Sequence, residues 1–213
     1  MFTACKTEKT KKTANLITEL DSVSYSLGVN IGENIKTQFE DINLDNFEAG
    51  IKDVLEKDVE AKISDNQAQA IIQSYFSKKQ QKQSESVIEE GINFLSENGK
   101  REGVITLASG LQYEVINDGT GPKPTIEDNV TTHYHGTLID GTVFDSSVDR
   151  GEPASFPVGG VIKGWTEALQ LMTVGSKWKL YVPYDLAYGE RGAGPQIGPY
   201  STLIFDVELI SIN

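Results

Sequence analysis

Few residues in this sequence could do covalent or acid–base chemistry. Two histidines, His133 and His135, stand two apart in a stretch that reads as a β-strand, so they share a face, and that spacing can suit a metal ion. The glycine-rich run from Gly189 to Gly198 has the texture of a phosphate-binding loop. It lacks the Gly-Lys-Ser/Thr ending, however, and no helix follows it. There is one cysteine, Cys5, so no intrachain disulfide can form. The acidic residues offer no carboxylate pair placed for general acid–base work. Asp145 reads as a turn residue after a strand or as a functional carboxylate, and Arg150 as a solvated charge or as its ion-pair partner. Trp165, Phe144 and Phe205, each taken alone, read as core, because aromatic rings dominate interiors.

The elements that must position these residues fall into two halves of different texture. The 213 residues suffice for one large domain or two modest ones, and a hydrophobic fraction of 38% suits a soluble globular protein. No run approaches the roughly eighteen apolar residues of a membrane-spanning helix. A net charge of −12 argues against nucleic acid as a partner, since phosphate binding needs clustered Lys and Arg. From Ala14 to Asn98 there is no proline, and apolar residues recur at helical spacing; all seven prolines lie beyond Gly103. The shift marks a boundary near Glu97–Gly103, where Asn98-Gly99 stops a helix.

In the first half, Asp21 or Ser22 is expected to cap a helix carrying Val23, Leu27, Ile31 and Ile35 on one face. Asn43 or Asp45 starts a second, with Phe47, Ile51, Val54 and Leu55 on its stripe. Ser64-Asp65 opens a third, much longer one, apolar at Ala68, Ile71, Ile72, Tyr75 and Phe76 and again at Val87, Ile88, Ile92 and Leu95. Its middle, residues 77–85, is polar all round, as in a helix that bridges two bodies through solvent. So little helix makes a thin core, and pairing with a second copy would remedy that. The second half reads as antiparallel β. Strands are expected at Leu111–Val115, Val130–Leu138, Lys177–Val182 and Thr202–Ile212, with an Asp140-Gly141 turn before Val143-Phe144. Lys177, Lys179 and Tyr181 alternate with Trp178, Leu180 and Val182. One short helix, Gly164–Met172, puts Trp165, Ala168, Leu169 and Met172 on a single stripe. The fold class is therefore α+β: an antiparallel sheet wrapped around a short helix, preceded by an all-α domain. The expected division is 1–13 as a tether, 14–64 as the helical domain, 65–102 as the connecting helix and 103–213 as the sheet domain.

The segments Val130-Thr-Thr-His-Tyr-His-Gly-Thr-Leu138, Gly141-Thr-Val-Phe-Asp-Ser-Ser147, Val161-Ile-Lys-Gly-Trp165, Leu186-Ala-Tyr-Gly-Glu-Arg-Gly192 and Thr202-Leu-Ile-Phe-Asp-Val-Glu-Leu209 resemble, in order and spacing, the FKBP-type peptidyl-prolyl cis/trans isomerases. The first half, through Ser24-Tyr-Ser-Leu-Gly28, Asn46-Phe-Glu-Ala-Gly50 and Asn93-Phe-Leu-Ser96, is similar to the macrophage-infectivity-potentiator branch. That resemblance implies a homodimer whose N-terminal helices interlock, with the long helix holding each isomerase domain away from the dimer body.

It also implies a rotamase pocket without cofactor or metal. Trp165 would be the floor for a proline ring, with Tyr134, Phe144, Val161, Ile162, Ile197 and Phe205 as apolar walls. The Tyr188 hydroxyl and the Ile162 N–H would hold substrate carbonyls, and Asp145 would lie beside the reacting amide, paired with Arg150. Tyr134 then faces the pocket, so His133 and His135 point away from it, and residues 189–198 form the loop overhanging the pocket. Ala154, Ala193, Gly198-Pro199 and a segment one residue short before Val161 depart from the family pattern in ways expected to open the rim. Catalysis should survive those changes, with tight macrolide binding less secure.

Phe2-Thr3-Ala4-Cys5 resembles the end of a bacterial lipoprotein signal, in which the cysteine is lipidated; an incidental thiol is the alternative. The resemblances together imply a periplasmic-side, lipid-anchored foldase acting on proline-containing unfolded or nascent chains, with chaperone activity besides. A docking module within a membrane-associated assembly is the competing reading.

Overall fold

The computed structural model describes residues 13–39, 41–57 and 59–213. Cys5 lies outside the described residues. The chain divides into two compact units between Gln69 and Ala70.

The first unit holds helix α1 (Glu19–Gln38), helix α2 (Leu44–Leu55) and the start of helix α3 (Asp65–Asn98). The cap of helix α1 is Thr18, three residues before Asp21 and four before Ser22, the expected caps. The Thr18 hydroxyl accepts the Asp21 N–H at 3.1 Å, and the Asp21 carboxylate accepts the Thr18 N–H at 2.8 Å. This reciprocal box satisfies two orphan donors of the first turn, so Asp21 completes the cap rather than being it. Asn43 caps α2 by accepting the Asn46 N–H at 3.0 Å. Neither α1 nor α2 buries any residue within the chain. Val23, Leu27 and Ile31 on α1, Val54 and Leu55 on α2, and Ile71 and Ile72 on α3 are all exposed.

The second unit holds the rest of α3 and a sheet of seven antiparallel strands wrapped over one inner helix. The strands are β1 (Val104–Thr106), β2 (Gln112–Asn117), β3 (Asn129–Leu138), β4 (Val143–Ser146), β5 (Ala154–Pro157), β6 (Lys177–Val182) and β7 (Leu203–Ile212). Their order is β1-β2-β6-β7-β3-β4, with β5 also on β3. Helix α4 is the single turn Ser147–Arg150, and helix α5 is Lys163–Leu171. Alternation decides what faces inward: Leu203, Phe205, Val207 and Leu209 of β7 are buried against Trp165, Ala168 and Leu169 of α5 and the adjoining Met172. Each such side chain contributes about 1.5–3 kcal/mol of hydrophobic burial.

The last turns of α3 lie on the outer side of this sheet. Helix and sheet meet at Gly91, where an added Cβ would stand 2.5 Å from the Thr202 hydroxyl. The Phe94 ring packs 6.0 Å from that of Tyr181. Beyond it, Asn98 donates to Gln112 at 2.8 Å, Gln112 donates to the Leu95 carbonyl at 2.8 Å, and Arg101 donates to Asn98, Tyr181 and Glu114. Tyr181 alternates with the lysines but is buried, because α3 covers the otherwise polar face at that position.

Candidate active site

A cavity of about 650 Å³ opens between α5, the inner face of the sheet and the loop after β6. That volume suits a small ligand or part of a peptide. Tyr134 enters it from β3, Phe144 and Asp145 from β4, Phe156 from β5, and Phe205 from β7. Val161 and Ile162 lead into α5, which contributes Trp165, and Tyr188 and the segment 193–197 close the far side. Asp145 is the one charged side chain among the described lining residues.

Trp165 sets the shape. Tyr134, Phe156 and Phe205 stand at 86°, 87° and 79° to the indole plane, with centroids 5.3–5.9 Å away. Edge-to-face contacts of this kind are favoured by the ring quadrupoles and resist sliding. Phe144 in turn meets Phe205 edge-on at 5.4 Å. Room for that pair comes from Gly136 on β3, where an added Cβ would lie 2.7 Å from the Phe144 ring and 3.0 Å from the Phe205 ring.

Asp145 is held on both oxygens. The Tyr134 hydroxyl donates to its Oδ2 at 2.5 Å, Arg150 Nη1 donates to its Oδ1, and Arg150 Nη2 donates to the Tyr134 hydroxyl at 2.9 Å. Arg150 reaches this position because the chain curls straight out of β4 into α4. Ser146 caps that turn by accepting the Asp149 N–H at 3.1 Å, and Gly151 ends it in the left-handed conformation. Burial pushes the Asp145 carboxyl up, but the Tyr134 hydroxyl and the Arg150 guanidinium outweigh burial and hold it below the usual carboxylate range. Burial, followed by its bond to Asp145, pushes the Tyr134 phenol up. Burial and then the Asp145 charge do the same to Tyr188. At neutral pH Asp145 is therefore ionised while both phenols keep their protons.

Donors remain for a ligand beside the carboxylate. The Tyr188 hydroxyl and the Ile162 N–H make no hydrogen bond among the described residues, although Ile162 caps α5 with its carbonyl. The loop beside them is a small hairpin in which Ala193 and Ile197 exchange N–H···O=C bonds of 2.8 and 3.2 Å.

All the expected pocket residues thus meet at one cavity except Arg150, which stands behind Asp145 rather than in the lining. Phe156 is a lining residue that the sequence reading missed; its signal was the alternation of Ala154, Phe156 and their neighbours in a four-residue strand. Ala154 pairs with Thr132 and does not line the cavity, so of the expected rim changes Ala193 is one that reaches it. His133 and His135 face the opposite side of the sheet, their Nδ1 atoms 3.1 and 3.0 Å from the hydroxyls of Ser147 and Ser146.

A family model described as FKBP-type peptidyl-prolyl cis-trans isomerase matches residues 121–210, the segment that contains every lining residue. A second, described as the domain amino terminal to FKBP-type peptidyl-prolyl isomerase, matches residues 20–115. The chain is 49% identical over 192 residues to the FKBP-type 22 kDa peptidyl-prolyl cis-trans isomerase of Escherichia coli, covering 89% of this chain and 93% of that protein. It is 45% identical over 206 residues to the outer membrane protein MIP of Legionella longbeachae, covering 93% and 88%. The crystal structure of FkpA from Escherichia coli superimposes with a TM-score of 0.74 at 34% identity, over 92% of this chain and 98% of that one. This chain belongs to the FKBP-type peptidyl-prolyl cis-trans isomerase family, among members that carry the amino-terminal helical domain. It is a prolyl isomerase.

Proposed function

We propose that this isomerase assists the folding of proline-containing polypeptides in the bacterial envelope, and that the cavity around Trp165 is where it does so. The observation that carries the reading is the ring-walled floor: three aromatic rings near perpendicular to one indole enclose an apolar seat for a proline ring.

Rotation about an Xaa-Pro bond makes and breaks no covalent bond. The barrier of about 18–20 kcal/mol is the loss of amide resonance. The planar amide has a polar, water-seeking oxygen; the twisted one has a less polar oxygen and a pyramidal nitrogen. A dry, apolar seat therefore disfavours the planar state more than the twisted one, and only that difference lowers the barrier. In this reading Trp165 supports the proline ring, and Phe144, Phe156 and Phe205 exclude water. The Ile162 N–H and the Tyr188 hydroxyl hold carbonyls flanking the bond so that one side stays fixed while the other turns. Asp145 places a carboxylate beside the reacting amide, and Arg150 and Tyr134 fix its direction. No proton is transferred.

Several features support the wider reading. The relative from Legionella longbeachae is named an outer membrane protein. Phe2-Thr3-Ala4-Cys5 has the pattern of a lipidation site, and no helix among the described residues is long and apolar enough to cross a membrane. The exposed apolar residues of α1, α2 and early α3 need covering, and a second copy would cover them, giving a homodimer able to cradle unfolded chains. The folding role is tested by refolding an unrelated protein whose slow phase is a prolyl isomerisation. Sub-stoichiometric amounts of this protein should accelerate that phase. A slow phase unchanged at equimolar protein would refute the foldase reading.

A further inference from the structure

Tyr188 contributes its hydroxyl to the cavity from a stretch that belongs to no strand or long helix. It lies between the short turns Tyr184–Leu186 and Gly189–Arg191. A hydroxyl that must meet a substrate carbonyl within a few tenths of an ångström needs more support than such a stretch supplies by itself.

Leu186 and Ala187 pack against the core just before Tyr188, and Tyr200 holds the stretch from outside. The Tyr200 N–H donates to the Gly189 carbonyl at 2.9 Å, immediately after Tyr188. The Tyr200 ring stands edge-on to Tyr184, four residues before it, at 5.4 Å and 74°. Tyr200 thus grips the chain on both sides of Tyr188 without lining the cavity itself. It does so at φ +61°, the only non-glycine residue with positive φ among those described. L-residues seldom adopt that conformation, and it persists only where the surroundings fix it. A glycine would meet the backbone requirement without strain but would lack the ring that meets Tyr184.

We propose that Tyr200 is a positioning residue for Tyr188: its strained backbone and its ring together clamp the Tyr184–Gly189 segment and so set where the Tyr188 hydroxyl points. This rests on the reading of Tyr188 as a substrate contact.

The test compares Tyr200→Gly, which keeps the N–H and the left-handed backbone but removes the ring, with Tyr200→Phe, which keeps both. Each is made in the parent and in a Tyr188→Phe background. Tyr184→Leu removes the other half of the ring contact and serves as a second probe should Tyr200→Gly fail to fold. Two quantities are read: the ring resonances of Tyr188, assigned by their loss in Tyr188→Phe, and kcat/KM from cis/trans exchange of an Xaa-Pro peptide. In Tyr200→Gly and Tyr184→Leu the Tyr188 resonances should shift and broaden, while those of Tyr113 on the sheet stay fixed. Tyr200→Phe should restore the parent spectrum. A hydroxyl loosened rather than removed should lower kcat/KM about fivefold, and the same change in the Tyr188→Phe background should cost less than about twofold. Unmoved Tyr188 resonances in both ring-removing variants, or an equal loss of activity in both backgrounds, overturns the proposal. Full activity of Tyr188→Phe by itself would instead overturn the role of the Tyr188 hydroxyl, while the resonances still report whether Tyr200 positions the ring.

Discussion

Gly136 offers the sharpest perturbation of the pocket, because the change is one methyl group and its consequence follows from distances. The residue sits mid-strand in β3, opposite Asp145 on one side and Phe205 on the other. In Gly136→Ala the new Cβ would lie 2.7 Å from both Cε2 and Cζ of Phe144 and 3.0 Å from Cε1 of Phe205. Carbon atoms at optimal separation stand about 3.5–4.0 Å apart, so the Phe144 ring must retreat by roughly an ångström. Phe205 is buried against Trp165 and has little room to move, so Phe144, which is half-buried, is the ring that yields. Overpacking of this kind costs about 1–3 kcal/mol of stability. Phe144 is also a cavity wall, and misplacement by about an ångström near a reacting group lowers rates by on the order of 10–10²-fold. Urea unfolding and NMR exchange on an Xaa-Pro peptide measure the two effects, with Phe144→Leu in the Gly136→Ala background as the relief variant. That second change should recover much of the stability, because it removes the ring that clashes, but not the rate, because it also removes the wall. Full activity with unshifted Phe144 resonances in Gly136→Ala would refute the account of this wall.

The remaining expectations concern charge, loop and wall. Asp145 has its pKa lowered in the folded state, so its ion pair with Arg150 is complete above the ordinary carboxylate range and is lost as pH falls through the folded value. The profile of kcat/KM should therefore be flat from about pH 5 to pH 9 and should fall only on the acid side, and Arg150→Gln should move that fall to higher pH; a bell-shaped profile centred near neutrality would contradict it. Gly192 has φ +67°, and an added Cβ would stand 2.2 Å from the Ile197 carbonyl oxygen, so Gly192→Ala should break the 193–197 hairpin. Peptide KM should rise while urea stability of the sheet changes by less than about 1 kcal/mol, as expected for a surface segment. Phe156→Ala removes one of the rings around Trp165; because that ring is only half-buried at the cavity, the cost should fall below the full-core range, at about 1–3 kcal/mol of stability, measurable as a lowered urea midpoint.

Much of the sheet was legible because its long strands carry both a period-two pattern and the family motifs. The β3, β6 and β7 readings differ from the structure by no more than a residue at an end. The helix under the sheet was legible for the same reason, since Trp165, Ala168, Leu169 and Met172 lie on one stripe. Short elements were not. Strands β1 and β5 and the single turn α4 run three or four residues, too few for periodicity to speak. Phe156 was hidden in one of them, and so was the geometry that brings Arg150 to Asp145. The burial of Tyr181 was not legible, because what buries it is another element, α3, and alternation along a strand cannot report what covers its outer face. The Thr18 cap is hard to see in the sequence because a capping box involves two residues three apart, and its acidic member, Asp21, is itself a good cap residue. Gly136 lies in the Val130–Leu138 motif, yet its purpose is the absence of a side chain against two rings, which sequence alone does not display.

The central claim is that the Trp165 cavity turns Xaa-Pro bonds through an apolar seat and the groups at its edge. NMR exchange spectroscopy on a short Xaa-Pro peptide tests it most directly, comparing the parent with an Asp145→Ala, Tyr188→Phe double variant. The account predicts fast cis/trans exchange with catalytic amounts of parent, and a reduction of at least about tenfold in the variant at unchanged fold, as for loss of aligned polar groups. Undiminished exchange in the double variant would show that neither group takes part. No acceleration by the folded parent would contradict the assignment of rotation to this cavity.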